Sequence, residues 1–194
     1  MNYQVLDVKV KDTEETAKLY TYFLDNSREI APERVRPVIV ICPGGGYEWV
    51  SEREAEPIAL KFVGAGYHAV VLHYSVAPAA HYPTALRQLA WTVAHLREHA
   101  AEYHIDPNKV VVAGFSAGGH LAACWQAHPV ADAVLAISGI YELEPLLSTA
   151  VNRSLQLTPA EVNDLSPLRH LAEKISPLTL FYGTAERTEL IAQS

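Results

Sequence analysis

The feature that most constrains this chain is residues 110–120, which read Val-Val-Val-Ala-Gly-Phe-Ser-Ala-Gly-Gly-His. A β-branched apolar run enters a Gly-x-Ser-x-Gly motif, and a helix-forming segment, residues 121–125, follows at once. A serine on a tight turn from a buried strand into a helix takes a strained backbone conformation, and Gly114 and Gly118 let strand and helix approach closely. We therefore predict a nucleophile elbow with Ser116 at its tip. A glycine-rich loop around an ordinary surface serine is the alternative, which the flanking strand and helix disfavour.

Composition limits the class of protein. The chain has 194 residues, 49% of them hydrophobic and 19% charged, which indicates one soluble globular domain with a substantial core. A net charge of −7 without a basic block argues against a nucleic-acid partner. The chain shows neither a signal peptide nor an apolar run near the roughly 20 residues that span a bilayer, so we expect no membrane partner. Cys42 and Cys124 are expected to be buried free thiols in a cytoplasmic protein.

The pattern of apolar residues predicts the order of elements. Alternating apolar and polar residues at 5–10 and 17–24 predict an antiparallel pair of strands. Helical spacing appears at residues 52–63 and 84–103. Continuous apolar runs predict buried strands at residues 38–42, 69–72, 110–115, 133–138 and 178–182. Strands that alternate with helices predict an α/β fold with a doubly wound, mostly parallel sheet.

Residues 139–171 interrupt this alternation. Three prolines break the segment, which is expected to form a cap-like insertion within the single domain of residues 1–194. Thr158, followed by Pro159 and by Glu161 three positions on, predicts the start of a helix with a capping box. A shorter helical segment is predicted to begin at Thr188.

Candidate catalytic groups follow the strands, because working groups in such sheets gather at the carboxyl ends of the strands. Ser116 is the candidate nucleophile and needs a base, since a free hydroxyl is a poor nucleophile at neutral pH. Three glycines after Pro43 offer bare amides suited to an oxyanion hole, which we assign to Gly45 and Gly46 with Ala117 from the elbow. A plain turn is one alternative. A phosphate-binding loop is another, but it needs a directly following helix and a lysine, which are absent.

Two further groups of residues complete the candidate site. Glu186, just after the last predicted strand, is the candidate acid that would orient a histidine, with Glu189 as a weaker candidate. Spacing alone does not separate this role from that of a solvated surface glutamate. Tyr47, Trp49 and Tyr74 are candidate pocket walls, although aromatic residues in loops are as often ordinary packing. No cofactor or metal is expected, because no cluster of ligands has suitable spacing.

These motifs resemble the α/β-hydrolase fold over nearly the whole chain. Residues 37–126 are similar to the small carboxylesterases and acetyl esterases related to hormone-sensitive lipase, in which His-Gly-Gly-Gly stands where this chain has Pro43 and three glycines. Residues 134–194 look like arylformamidases, the kynurenine formamidase group, through segments 137–146 and 183–194. There Glu186 stands where an aspartate is usual, so the resemblance favours Glu186 as the acid.

The resemblance also implies the chain order serine, acid, histidine, and none of the nine histidines follows Glu186. His120 is expected to pack near the elbow, His73 at a pocket mouth and His170 in the cap, so no histidine is assigned as the base. We therefore expect an incomplete form of a longer hydrolase that lacks the last strand and helix of the fold. The exposed sheet edge predicts marginal solubility or a homodimer formed through that edge.

Three functions remain open on these grounds. The leading hypothesis is a serine hydrolase of the carboxylesterase or acetyl esterase type that cleaves small acyl esters through an acyl-enzyme. An arylformamidase that cleaves an N-formyl amide would use the same residues. A non-catalytic remnant that keeps the elbow without its base is the third. The expected partner is a small-molecule ester or formamide.

Overall fold

A computed structural model describes residues 1–124, 131–171 and 176–194 of the chain. Its strands form one sheet in the order β1-β2-β4-β3-β5-β6-β7. They are β1 (Asn2–Lys9), β2 (Thr16–Phe23), β3 (Arg36–Cys42), β4 (His68–His73), β5 (Ile105–Phe115), β6 (Ala133–Ile137) and β7 (Leu178–Phe181). β2 pairs antiparallel with β1 and β4, whereas the other four pairs are parallel. The predicted mostly parallel α/β sheet is confirmed.

The helices lie between these strands and after them. They are α1 (Glu56–Gly64), α2 (Thr84–Glu98), α3 (Ala100–Tyr103), α4 (Ala117–Cys124), α5 (Asn152–Leu155), α6 (Pro159–Leu165) and α7 (Thr188–Gln193). Short 3-10 helices lie at Glu52–Glu54, Glu144–Ser148 and Pro167–Arg169. None of the helices in the described ranges is long and apolar enough to cross a membrane.

Several boundaries differ from the sequence prediction. The helix predicted from residue 52 begins at Glu56, after the 3-10 helix Glu52–Glu54, and the strand predicted from residue 5 begins at Asn2. The single helix predicted over residues 84–103 is broken at His99, where both the backbone N–H and the ring Nδ1 bond to the His95 carbonyl, at 3.0 and 2.9 Å. β5 begins at Ile105, before the strand predicted from residue 110, and its register with β3 shifts between these two residues. The elbow helix was predicted through Trp125, which lies outside the described residues.

Apolar side chains cover both faces of the central strands. Val38 and Val40 of β3 belong to the core that α2 and α4 complete, whereas Ile39 and Ile41 belong to the core beneath α1. Alternate side chains of a strand point to opposite faces, so a strand covered on both faces needs a continuous apolar run. This explains why β3 to β5 were visible in the sequence.

The capping box predicted at the start of α6 is present. Thr158 Oγ1 accepts a hydrogen bond from the Glu161 backbone N–H at 3.2 Å, and Thr158 N–H donates to Glu161 Oε2 at 2.9 Å. Two of the amides that a helix start leaves unpaired are thereby satisfied. The box fixes where α6 begins. Residues 139–171 are called the cap below, and their role as an insertion within the domain stays a prediction.

Removing the Thr158 side chain, which caps the start of α6, should lower the stability of the protein only modestly. We expect Thr158→Ala to lower the free energy of unfolding by about 1 kcal/mol, because one amide of α6 loses its acceptor. Urea unfolding would measure the change. Thr188→Ala is the matched control, since the Thr188 hydroxyl at the start of α7 has no hydrogen-bond partner among the described residues. Equal losses of unfolding free energy in Thr158→Ala and Thr188→Ala would contradict the capping role of Thr158.

β7 ends the sheet order and carries exposed apolar residues. Phe181 is 55% exposed, and Tyr182 directly after the strand is also exposed. An unpaired strand edge with exposed aromatic residues favours association. The homodimer through this edge therefore stays a prediction, for which sedimentation would be the measurement.

Candidate active site

Ser116 occupies the turn between β5 and α4. Its backbone φ is 52°, in the left-handed region that side chains other than glycine rarely adopt. The Ser116 N–H donates to the Ile137 carbonyl of β6 at 2.8 Å, and the Ser116 carbonyl accepts from the His120 N–H at 2.9 Å. The strained turn is thus held from both sides, and Ser116 lines a cavity.

Two glycines permit this turn. A Cβ added to Gly114 would lie 1.9 Å from the Gly118 carbonyl oxygen, and one added to Gly118 would lie 1.9 Å from the Cys42 carbonyl oxygen. Real Cβ atoms do not approach other atoms so closely, so the backbones of β3, β5 and α4 are in direct contact here. The structure therefore has the geometry of an elbow that the sequence predicts.

The glycine loop, residues 43–49, is fixed at several points beside the elbow. Gly44 N–H donates to Glu54 Oε2 at 2.7 Å, and the Tyr74 hydroxyl donates to the Pro43 carbonyl at 2.7 Å. Within the loop, the Gly45 carbonyl accepts from Trp49 N–H at 3.2 Å. These bonds hold the loop in one conformation.

Three backbone amides near Ser116 remain unpaired. In residues 1–124, 131–171 and 176–194, no acceptor lies within hydrogen-bond reach of the N–H groups of Gly45, Gly46 or Ala117. Gly46 and Ala117 line the same cavity as Ser116, whereas Gly45 is outside its lining. The structure brings Gly46, Ala117 and Ser116 together around one cavity. Gly45 precedes Gly46 in the chain but does not line the cavity.

The cavity has a volume of about 560 Å³ and mainly apolar walls. Tyr47 lines it, as predicted. The predictions for Trp49 and Tyr74 are wrong in this structure. Trp49 is 59% exposed and packs beside Gly45, whereas Tyr74 is 2% exposed because its hydroxyl reaches under the glycine loop.

The opposite wall was missed by the sequence interpretation. It comes from the cap and α7, and its residues include Ile140, Leu143, Leu146, Leu157, Leu165 and Leu190. The cap has short, irregular elements without a sustained period, so the sequence gives no signal for which leucines face inward. Cys124 also lines the cavity and is half-buried, whereas Cys42 is buried; both are free thiols.

Glu186 lies beside the end of β6. Its Oε1 accepts from the Ser138 hydroxyl at 2.6 Å and from Gly183 N–H at 2.7 Å, and these two bonds lower the pKa of the carboxyl. Its Oε2 is shielded from solvent and has no partner among the described residues. Ser138, at φ 50°, was missed in the sequence, where only the acid was sought. One oxygen is fixed and the other is unpaired. Glu186 is outside the lining of the cavity that contains Ser116, whereas the exposed Glu189 lines it.

The histidines do not supply a base in the described part of the chain, where none hydrogen-bonds Ser116 Oγ or Glu186. The ring of His73 packs on Tyr20 with centroids 4.6 Å apart, and His170 Nε2 lies 2.6 Å from the Asn163 carbonyl. His128 is outside the described residues. Over the same described ranges, no group of three or more metal-ligating side chains could hold a metal ion.

His120 packs near the elbow, as predicted. It is 5% exposed, with Nε2 2.8 Å from the Leu165 carbonyl and Nδ1 2.7 Å from the Tyr47 hydroxyl. Burial lowers the pKa of His120 to about 4. The ring is therefore neutral at physiological pH.

Two buried histidines should make the protein less stable in acid. Burial also lowers the pKa of His68 to about 4, and its Nδ1 accepts from Leu24 N–H at 3.1 Å. A lowered histidine pKa means that the unfolded chain binds protons first. The stability that depends on these neutral histidines is fully present above pH 6.5, the approximate pKa of histidine in the unfolded chain. It is lost progressively as the pH falls toward 4, the pKa in the folded protein.

We expect each buried histidine to lower the free energy of unfolding by about 2 kcal/mol between pH 7 and pH 5. Urea unfolding at both values would measure it. His68→Asn should reduce the pH dependence by about that amount, whereas replacement of the exposed His81 by asparagine should leave it in place. An unchanged pH dependence in the His68 variant would contradict the interpretation.

Comparisons with known proteins found a family model and several relatives. The BD-FAE family model matches residues 28–194. Esterase LipQ of Mycobacterium tuberculosis is 27% identical over an alignment that covers 86% of this chain and 46% of LipQ. Kynurenine formamidase of Danio rerio is 30% identical over an alignment that covers 81% of this chain and 54% of that enzyme. The chain spans about half the length of these curated relatives.

Solved structures match the fold. The carboxylesterase Cest-2923 from Lactobacillus plantarum WCFS1 superposes with a TM-score of 0.85 at 25% identity, covering 97% of this chain and 74% of that one. MGS-M1, an alpha/beta hydrolase enzyme from a Medee basin deep-sea metagenome library, gives a TM-score of 0.68 at 28% identity, with 93% and 82% covered. The α/β-hydrolase fold expected from the sequence is confirmed.

Proposed function

The chain belongs to the BD-FAE family, and on that premise we propose that it is a serine hydrolase that cleaves small acyl esters, as carboxylesterases and acetyl esterases do. The observation that carries the proposal is the strained Ser116, which faces the same cavity as the unpaired amides of Gly46 and Ala117. A nucleophile beside unpaired donors is the arrangement that acyl transfer requires.

Each step can be assigned to a group of the site. Ser116 Oγ attacks the ester carbonyl carbon, and the negative charge that develops on the carbonyl oxygen is stabilised by the N–H groups of Gly46 and Ala117, with Gly45 beside them. The base takes the Ser116 hydroxyl proton and gives it to the departing alcohol as the C–O bond of the ester breaks. Water then attacks the acyl group on Ser116, which releases the carboxylic acid and returns the proton to the serine. One such N–H donor contributes roughly 10²–10³-fold to kcat in comparable sites.

Glu186 is the proposed acid of the triad. Its fixed Oε1 and its open Oε2 support this role, because a triad carboxylate must be held rigidly while one oxygen accepts from the base. The base is a histidine, which in this fold follows the acid. In the described residues no histidine forms a hydrogen bond with Glu186 or Ser116 Oγ, so the tests below use imidazole as the base.

Two other functions compete with this proposal. Cleavage of an N-formyl amide is favoured by the 30% identity to the Danio rerio kynurenine formamidase, and it would use the same serine, acid and amides. A non-catalytic role is favoured because no histidine in the described ranges forms a hydrogen bond with Ser116 Oγ.

Turnover separates the three functions. We expect a higher kcat/KM for p-nitrophenyl acetate than for N-formylkynurenine, measured side by side with imidazole present as a substitute base. Faster cleavage of N-formylkynurenine would favour the formamidase instead. If neither substrate is cleaved faster than by a Ser116→Ala variant, the chain is a non-catalytic remnant.

A further inference from the structure

His120 joins three parts of the site, although it contacts none of the proposed reacting atoms. Its backbone N–H bonds to the Ser116 carbonyl, its Nδ1 to the Tyr47 hydroxyl and its Nε2 to the Leu165 carbonyl. Tyr47 follows Gly46 in the glycine loop, and Leu165 is the last residue of α6 in the cap. One ring therefore connects the elbow, the loop and the cap.

The partners fix the direction of both ring hydrogen bonds. A carbonyl oxygen only accepts, so Nε2 must carry the proton that is donated to Leu165. In a neutral imidazole Nδ1 is then an acceptor, and the Tyr47 hydroxyl donates to it. Cys124 Sγ also lies 3.4 Å from Nε2 and 3.7 Å from the Leu165 carbonyl. Nε2 is thus the donor and Nδ1 the acceptor, and neither is available to take a proton from Ser116.

The contact to Tyr47 fixes the end of the glycine loop. The backbone carbonyl of Tyr47 also accepts from Ala77 N–H at 2.8 Å, so the residue after Gly46 is held at its ring and at its backbone. A free amide stabilises a developing oxyanion only if it already points at it, because reorientation during the reaction costs energy. Loosening Tyr47 should therefore loosen the Gly46 amide.

The contact to Leu165 fixes the cap over the cavity. The last carbonyls of a helix have no intrahelical partner, and His120 satisfies that of Leu165. Leu165 packs with Leu143 and Val162 in a small apolar cluster, and Leu143 and Leu165 both line the cavity. Loss of this bond should displace the wall that a bulky substrate would touch.

We propose that His120 is a positioning residue with two separable effects: through Nδ1 it orients the glycine loop, and through Nε2 it sets the cap wall that selects esters with larger apolar groups. The proposal rests on the proposed ester hydrolysis for its kinetic consequences. Ser154 of α5, whose hydroxyl donates to Glu48 Oε1, is a second link between cap and loop.

Conservative variants can separate the two bonds. In His120→Asn the amide oxygen can replace Nδ1 as acceptor for Tyr47, but the side chain is too short to reach Leu165. In His120→Gln the terminal amide can replace Nε2 as donor to Leu165 and leaves Tyr47 unpaired. Tyr47→Phe removes the hydroxyl alone and should behave like His120→Gln.

The kinetic test compares p-nitrophenyl acetate with p-nitrophenyl hexanoate, with imidazole present. We expect His120→Asn to raise KM for the hexanoate about tenfold and to change KM for the acetate less than twofold. His120→Gln and Tyr47→Phe should lower kcat for both esters about tenfold. Identical changes in all three variants, or no change in any, would overturn the proposal.

Amide hydrogen exchange tests the structural half without catalysis. The backbone amides of α6 should exchange faster in His120→Asn than in the wild type. In Tyr47→Phe, which keeps the bond from His120 to Leu165, their exchange should stay near that of the wild type. If this difference appears while no variant and no wild type cleaves either ester, the proposed function fails but the positioning of the cap by His120 stands. Equal exchange in both variants would refute the positioning role itself.

Discussion

Replacing Gly118 with alanine is expected to destabilise the protein by roughly 3 kcal/mol or more. The new Cβ would lie 1.9 Å from the Cys42 carbonyl oxygen and 2.6 Å from that of Pro43. Both are backbone atoms of β3 and the glycine loop, so no side-chain rotation can relieve the overlap. The elbow and the loop would have to separate, and urea unfolding would measure the cost.

Gly64→Ala is the matched control for that prediction. Gly64 ends α1, where an added Cβ meets no atom within 4 Å, and we expect a gain of about 0.5–1 kcal/mol from the lower flexibility of the unfolded chain. A Gly118→Ala variant as stable as the wild type would mean that strand and helix are not in backbone contact at the elbow.

Free imidazole is expected to raise ester hydrolysis by this chain by about 10²-fold in a manner that depends on Ser116. General-base catalysis contributes 10²–10⁴-fold in enzymes, and a diffusible base should recover the lower end of that range. The cavity of about 560 Å³ beside Ser116 has room for imidazole, and the solvent-shielded Oε2 of Glu186 has no partner among the described residues.

The rescue needs a control because imidazole also hydrolyses activated esters in solution. Ser116→Ala measured at the same imidazole concentrations supplies that background, and Glu186→Gln should reduce the rescue while leaving the background unchanged. Equal imidazole dependence in the wild type and in Ser116→Ala would show that Ser116 does not act as a nucleophile with this base.

The sequence was sufficient for features that depend on local pattern. Continuous apolar runs revealed β3, β4 and β5 because these strands are covered on both faces, and the capping box at Thr158 depends on residues three positions apart. The elbow was visible because close backbone contact leaves only glycine at positions 114 and 118. In each case one short stretch of chain carries the physical cause.

Features that depend on distant partners were not visible. The direction of the Trp49 side chain follows from a turn closed at Gly45, and Tyr74 is drawn beneath the loop by the Pro43 carbonyl. Ser138 and Glu186 lie 48 residues apart in the chain, so their bond required the sheet to be assembled first. The cavity wall formed by the cap also depends on distant residues, because its leucines face the cavity only after α4 and α6 meet.

The central claim is that the elbow holds Ser116 in position for nucleophilic attack. It is tested most directly by a fluorophosphonate, which forms a covalent adduct with reactive serines. After reaction, the site of the adduct would be mapped by mass spectrometry of the digested protein. We predict one adduct, on Ser116, faster with imidazole and absent in Ser116→Ala. No adduct, or labelling of another serine at a rate unaffected by Ser116→Ala, would contradict the account.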